Sequence, residues 1–293
     1  MNDGPKRIFL ILLALAVAVL SLVGCKVKEP DEKITSEILA VLSADNAVRS
    51  DIASAASEGG DESAERTDDT ETLSSINDIN EIPYAYLRRF AEIDGYVAVT
   101  NGATVALGIE QKIENRSIKK GDMYYTYAKS SSIFVKTEHT AYFYGDKAAY
   151  RDKKEEYKVA DISDYLTEYG VYPATVGIEG YIINNETVLS VARSEEADNT
   201  FIISLDGEKA GLRNKLQMKK HGDLADYPVF KSVALTIALN EDLSPVSVRV
   251  AAEYSVSYGF LGYVNCKQDY TVVYSEINGA VEIPSDEIFD MIK

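Results

Sequence analysis

Two histidines, two cysteines and one Ser-x-x-Lys stretch are the side chains whose types and spacing bear on chemistry. A histidine serves as base or metal ligand only beside a suitable partner. Neither His139 nor His221 has a His, Cys or Asp at metal-ligand spacing. Ser117-Ile118-Lys119-Lys120 places a hydroxyl three residues from an amine, as serine-nucleophile enzymes with a lysine base do. The companions of that pattern, Ser-Asp-Asn and Lys-Thr-Gly, are missing, and the nearest approach, Lys136-Thr137-Glu138, lacks the glycine. No Gly-x-Ser-x-Gly elbow, P-loop, dinucleotide fingerprint or calcium-loop spacing occurs. Asn115-Arg116-Ser117 and Asn185-Glu186-Thr187 match only a glycosylation sequon. The sequence therefore predicts no catalytic centre, no cofactor and no metal site.

Cys25 is a different case. Lys6 and Arg7 make a short positive region, and Ile8 to Val23 is an almost unbroken apolar run of 16 residues, interrupted only by Ser21. A spanning helix needs about 20, so the run fits the core of an export signal. It ends in Leu22-Val23-Gly24-Cys25. These residues resemble the lipobox of bacterial lipoproteins, in which a small residue precedes an invariant cysteine. The resemblance implies that residues 1–24 are a signal peptide cut before Cys25, and that the Cys25 thiol is diacylglycerylated. Fatty-acyl chains of the palmitate kind would then anchor the protein to the cell membrane, facing outside the cytoplasm. Each buried CH₂ adds about 0.8 kcal/mol to such an anchor. The alternatives are a cleaved signal with an incidental cysteine and an uncleaved N-terminal helix. With Cys25 acylated, Cys266 has no partner for an internal disulfide, and it reads as a small buried apolar side chain.

The formal net charge is −17, and removing 1–24, which carry Asp3, Lys6 and Arg7, makes the chain more acidic still. So acidic a protein does not bind nucleic acid or an anionic bilayer by net charge; its membrane partnership rests on the lipid. Residues 25–80 are rich in Ser, Ala, Asp and Glu, as in Glu58-Gly59-Gly60-Asp61-Glu62. They bury too little to fold alone and read as an acidic tether. Within them Ile34, Ile38, Val41, Leu42, Val48 and Ile52 recur at helical spacing, which predicts an amphipathic helix over 35–57, docked, membrane-lying or frayed.

Residues 81–293 read as one domain of α+β class, a curved antiparallel sheet covered by a few helices. Val105, Leu107, Ile109 and Ile113 read as one alternating strand. Tyr-rich runs follow at Met123–Tyr127, Ile133–Val135 and Ala141–Tyr144, with a hairpin turn at Gly145-Asp146. Val233, Leu235, Ile237 and Leu239 share one strand face; Val246, Val248, Val250, Ala252, Tyr254 and Val256 share the next; Cys266, Gln268, Tyr270, Val272 and Tyr274 keep the rhythm. Helices are predicted over 161–169, ended by Gly170, and over 208–220, where Lys219 and Lys220 suit the negative C-terminal end. The 20 tyrosines against no tryptophan suit either half-buried strand positions or a surface that holds an amphiphile.

The order of these elements, with Gly121-Asp122-Met123-Tyr124-Tyr125, Tyr144-Gly145-Asp146-Lys147 and a final Val281-Glu282-Ile283-Pro284, is similar to the half-open barrels of lipoprotein carriers and mycobacterial glycolipid-binding lipoproteins. The resemblance spans about 95–285 and implies a cavity between sheet and helices that takes acyl chains. It transfers no individual ligand contact. Leu235, Ile237, Val248, Val250 and Tyr254, on two neighbouring apolar strand faces, are the candidate cavity wall. Two readings follow: a non-catalytic binding module for a lipid or other amphiphile, or a structural or interaction lipoprotein of the envelope with a filled core.

Overall fold

The computed structural model describes residues 71–133, 135–169, 180–221, 224, 226–257, 262–284 and 286–293, together with Ser36 and Ala40. The signal segment, Cys25 and most of the tether lie outside the described residues. Ser36 and Ala40, within the stretch read as an amphipathic helix, are helical and exposed.

Long runs of period-2 alternation build an 11-stranded antiparallel sheet that curves without closing into a barrel. Its strands are β1 (Gly95–Ala106), β2 (Ile109–Lys120), β3 (Met123–Ser131), β4 (Lys136–Tyr144), β5 (Lys147–Asp152), β6 (Lys158–Asp161), β7 (Val188–Arg193), β8 (Thr200–Leu205), β9 (Val229–Leu239), β10 (Pro245–Ser257) and β11 (Tyr263–Ser275). The spatial order is β6-β5-β4-β3-β2-β1-β11-β10-β9-β8-β7. Two meanders thus meet along one seam, where Ala98 pairs with Tyr274 and Thr100 with Val272. At Gly102 the seam is so tight that an added Cβ would lie 2.3 Å from Tyr270 Cα; only glycine fits there.

Among the described residues from 71 onward five α-helices complete the fold: α1 (Ile82–Ala91), α2 (Ile162–Tyr169), α3 (Gly207–Ala210), α4 (Leu212–His221) and α5 (Asp286–Phe289). Pro83 fits α1 because its first turn needs no N–H partner. The 161–169 helix is found as α2. The 208–220 helix is broken at Gly211, whose Cβ would meet the Phe230 ring at 3.2 Å. Lys219, buried, donates to the Leu224 carbonyl beyond the helix end.

Several strand assignments change. Val105, Leu107, Ile109 and Ile113 do not form one strand: Leu107 (φ 52°) and Gly108 (φ 76°) make a two-residue hairpin turn between β1 and β2. Ile133 and Val135 lie in the β3–β4 connection and are exposed. A register shift between Pro245 and Ser247 moves Val246 off the face of Val248 and into solvent. Val281–Pro284 is not strand; β11 ends at Ser275.

The sheet has two differently covered faces. On the helical face, Tyr96, Val248, Val250, Leu235, Ile237, Phe201 and Val272 pack under α1, Tyr181, Ile183 and Ala210 in the main core. A second cluster joins Ala141, Phe143, Ala148 and Tyr150 to Tyr165 and Tyr169 of α2. On the opposite face the C-terminal segment lays Phe289 and Ile292 on Tyr142 and Ala149, and Val281 on Val97 and Ile118. Packing begins ahead of residue 81: Leu73 is buried in the main core and its N–H donates to the Glu241 carbonyl at 2.7 Å.

Candidate binding face

The five residues proposed as a cavity wall come together. Val248 pairs with Ile237 and Val250 with Leu235, and Tyr254 lies on the same face of β10, its ring 5.1 Å from that of Phe230. All five are at most 3% exposed and belong to the main core. Two surface recesses, of about 320 and 360 Å³, lie elsewhere, beside Asp161 and Ile292 and beside Tyr124 and Tyr144.

Between the main core and the α2 cluster the same face turns polar. Antiparallel register carries this strip from Thr100 and Thr104 on β1 through Gln111, Asn115 and Ser117 on β2 to Thr126, Ala128 and Ser130 on β3. Asn115 Oδ1 accepts from Ser117 Oγ at 3.3 Å and from Thr126 Oγ1 at 3.2 Å, and Gln111 Nε2 donates to Ser130 Oγ. Ser117 is buried, but Asn115, Thr126, Ala128, Ser130 and Thr104 are half-buried, as are Ile113 and Tyr270 beside them. The strip therefore offers hydroxyls, amides and two apolar side chains to solvent beside a closed apolar wall.

Past the strip, β4 and β5 hold α2. His139 Nδ1 lies 2.8 Å from Asp152 Oδ1, His139 Nε2 lies 3.1 Å from the Tyr165 hydroxyl, and Tyr169 donates to Asp152 Oδ2 at 3.1 Å. Tyr165 and Tyr169 stack at 4.7 Å, and the imidazole sits 4.5 Å from the Tyr169 ring. A hydroxyl–imidazole–carboxylate chain is a catalytic arrangement only when its hydroxyl can reach a substrate. Here both tyrosines are buried, so the chain fastens α2 to the sheet. Sequence reading missed it because His139 and Asp152 approach through strand pairing, with no local motif to mark them.

The Ser-x-x-Lys stretch is disposed of by geometry. It lies on β2, where a spacing of three puts Ser117 on the helical face and Lys120 on the other, so no dyad forms. Burial raises the pKa of the Cys266 thiol, which keeps it protonated and fits the small-apolar reading. Among the described residues no group of three or more His, Cys, Asp or Glu side chains is placed to hold a metal, and no helix is long and apolar enough to cross a membrane.

No protein-family model matches this sequence, and no curated protein matches it. Among solved structures, a DUF1329 family protein from Desulfovibrio piger ATCC 29098 aligns over 70% of this chain and 93% of its own, at 8% identity and a TM-score of 0.31.

Proposed function

We propose that this chain is a lipoprotein anchored to the outer side of the cell membrane through acyl chains on Cys25, and that its curved-sheet domain binds a lipid or other amphiphile without catalysing a reaction. The observation that carries the reading is the chemical gradient on the helical face. Half-buried hydroxyls and amides of β1–β3 lie directly beside an apolar wall on β8–β11. An amphiphile matches that gradient with its head on Asn115, Thr126 and Ser130 and its first methylenes on Ile113 and Tyr270. The Leu22-to-Cys25 spacing supports the anchor, and the order of elements supports kinship with half-barrel lipid carriers.

Native mass spectrometry of the full chain, purified in neutral detergent, tests the ligand. A co-purified amphiphile should be released by Ala128→Trp, which fills the strip while leaving the melt nearly unchanged. Equal loading of wild type and variant would overturn the assignment. Absence of any amphiphile, together with no uptake of an apolar dye, would favour the interaction-lipoprotein reading, which the burial of Leu235, Ile237, Val248, Val250 and Tyr254 also supports. Metabolic labelling with a fatty-acid analogue tests the anchor: Cys25→Ser should abolish the label, and retained label would refute it.

A further inference from the structure

The opposite face of the sheet carries a second, unrelated feature. Strand register aligns Arg116 of β2, Tyr127 of β3, Thr140 of β4 and Arg151 of β5 in one row across four strands. At about 4.8 Å per strand the two arginine Cα atoms stand about 14 Å apart, a gap that two extended guanidinium side chains largely span. Arg151 lies over the Tyr157 ring, 4.4 Å from its centroid. Its Nε is buried and has no hydrogen-bond partner. Among the described residues neither Arg116 nor Arg151 forms an ion pair, although acidic residues outnumber basic ones 47 to 30. The carboxylates of the adjoining row are already engaged, Glu114 by Lys129 at 2.7 Å and Glu138 by Lys136 at 2.8 Å. Tyr125 and Tyr157, at the border of the C-terminal segment, close one side of the row with Ile283 and Ile288.

We infer that the Arg116–Tyr127–Thr140–Arg151 row is a binding site for a phosphate-type oxyanion. Guanidinium groups take such anions through paired, charge-assisted hydrogen bonds. Stacking on Tyr157 fixes the plane of one guanidinium in advance, which lowers the ordering cost of binding. Half-buried Tyr127 adds a neutral hydroxyl donor between the two cations, and buried Thr140 forms the floor beside it. The site lies across the sheet from the polar strip, so it neither depends on the amphiphile reading nor supports it. The phosphate can come from a soluble phosphate-bearing molecule or from a lipid headgroup.

Titration calorimetry of the full chain in neutral detergent with inorganic phosphate, and flotation with phosphatidylglycerol against phosphatidylcholine vesicles, scored as the excess bound to the anionic ones because an acyl anchor inserts into both, test the proposal. Each of Arg116→Gln and Arg151→Gln should weaken phosphate affinity about tenfold or more, while Arg116→Lys retains part of it. Thermal melts accompany each variant, and because Arg116 is exposed its replacement leaves the fold intact even if that of Arg151 does not. Arginine-dependent binding of inorganic phosphate without preference for the anionic vesicles assigns a soluble ligand. Arginine-dependent binding to the anionic vesicles assigns a headgroup. Phosphate binding and an anionic-vesicle excess that are both absent, or both unchanged in Arg116→Gln, overturn the site.

Discussion

Truncating Leu235 asks whether the apolar wall is a packed core or a surface awaiting a ligand. The side chain is fully buried, with Val250 opposite on β10 and Ile203 opposite on β8. Leu235→Ala removes three carbon groups, a transfer loss of about 2.4 kcal/mol at roughly 0.8 kcal/mol each. Its neighbours are held in strands on both sides, so the wall collapses only partly and a cavity term adds to the loss. The total should fall at about 3–5 kcal/mol, the upper part of the range for buried leucines. For a domain of this size that lowers Tm by roughly 10 °C. Urea and thermal melts followed by circular dichroism measure it, with an apolar dye present in parallel. A loss near 1 kcal/mol, together with dye uptake by the wild type, would refute the packed-wall reasoning and place a ligand space against Leu235.

Leu73→Ala should cost about 2 kcal/mol in urea melts, toward the low end for a buried leucine because the site lies near the start of the packed chain, and a chain starting at residue 81 should lose at least as much. Gly102→Ala forces a methyl into Tyr270 and should destabilise by about 1–3 kcal/mol, read by the same melts. The third expectation concerns acid stability. Burial alone would raise the Asp242 pKa, but bonds from Ser244 and Arg89 outweigh it and hold the carboxyl below its ordinary 3.8. A folded pKa below the unfolded one gives stabilisation that is complete above the unfolded value and lost as pH falls through the folded value. Asp242→Asn should therefore reduce the steepness of the acid limb of a stability-versus-pH curve, and an unchanged limb would contradict it.

How far the fold was legible depended on how locally each decision is made. β9 shows an unbroken apolar face from Val233 to Leu239 and β11 one interrupted only by Gln268, and the pairing of each with β10 joins neighbours in sequence, so both were readable. Leu107 was not readable as a turn, because a leucine with positive φ carries no local signal and only Gly108 hints at it. Val246 misled because a bulge changes face parity without any marker residue. Val281 and Ile283 alternate as a strand would, yet they serve as a strap across the other face, a role set by distant Val97 and Ile118. The binding features were hidden for the same reason. Asn115 meets Thr126, and Arg116 aligns with Arg151, only after register is fixed, and register is a property of the whole sheet.

The seam between β1 and β11 also governs how the domain assembles. Each meander is made of neighbours in sequence and can form as soon as its own strands are available. The pairing that unites them joins residues 160 or more positions apart, such as Ala98 and Tyr274. Long loop closure of this kind is slow. Synthesis delivers the N-terminal half first, so β1 waits as an open sheet edge until the end of the chain arrives. An open edge invites pairing with the wrong strand. Val99 and Val105, exposed even in the finished fold, lie on that waiting strand, which makes the last-formed seam the point where this protein most needs protection while it folds.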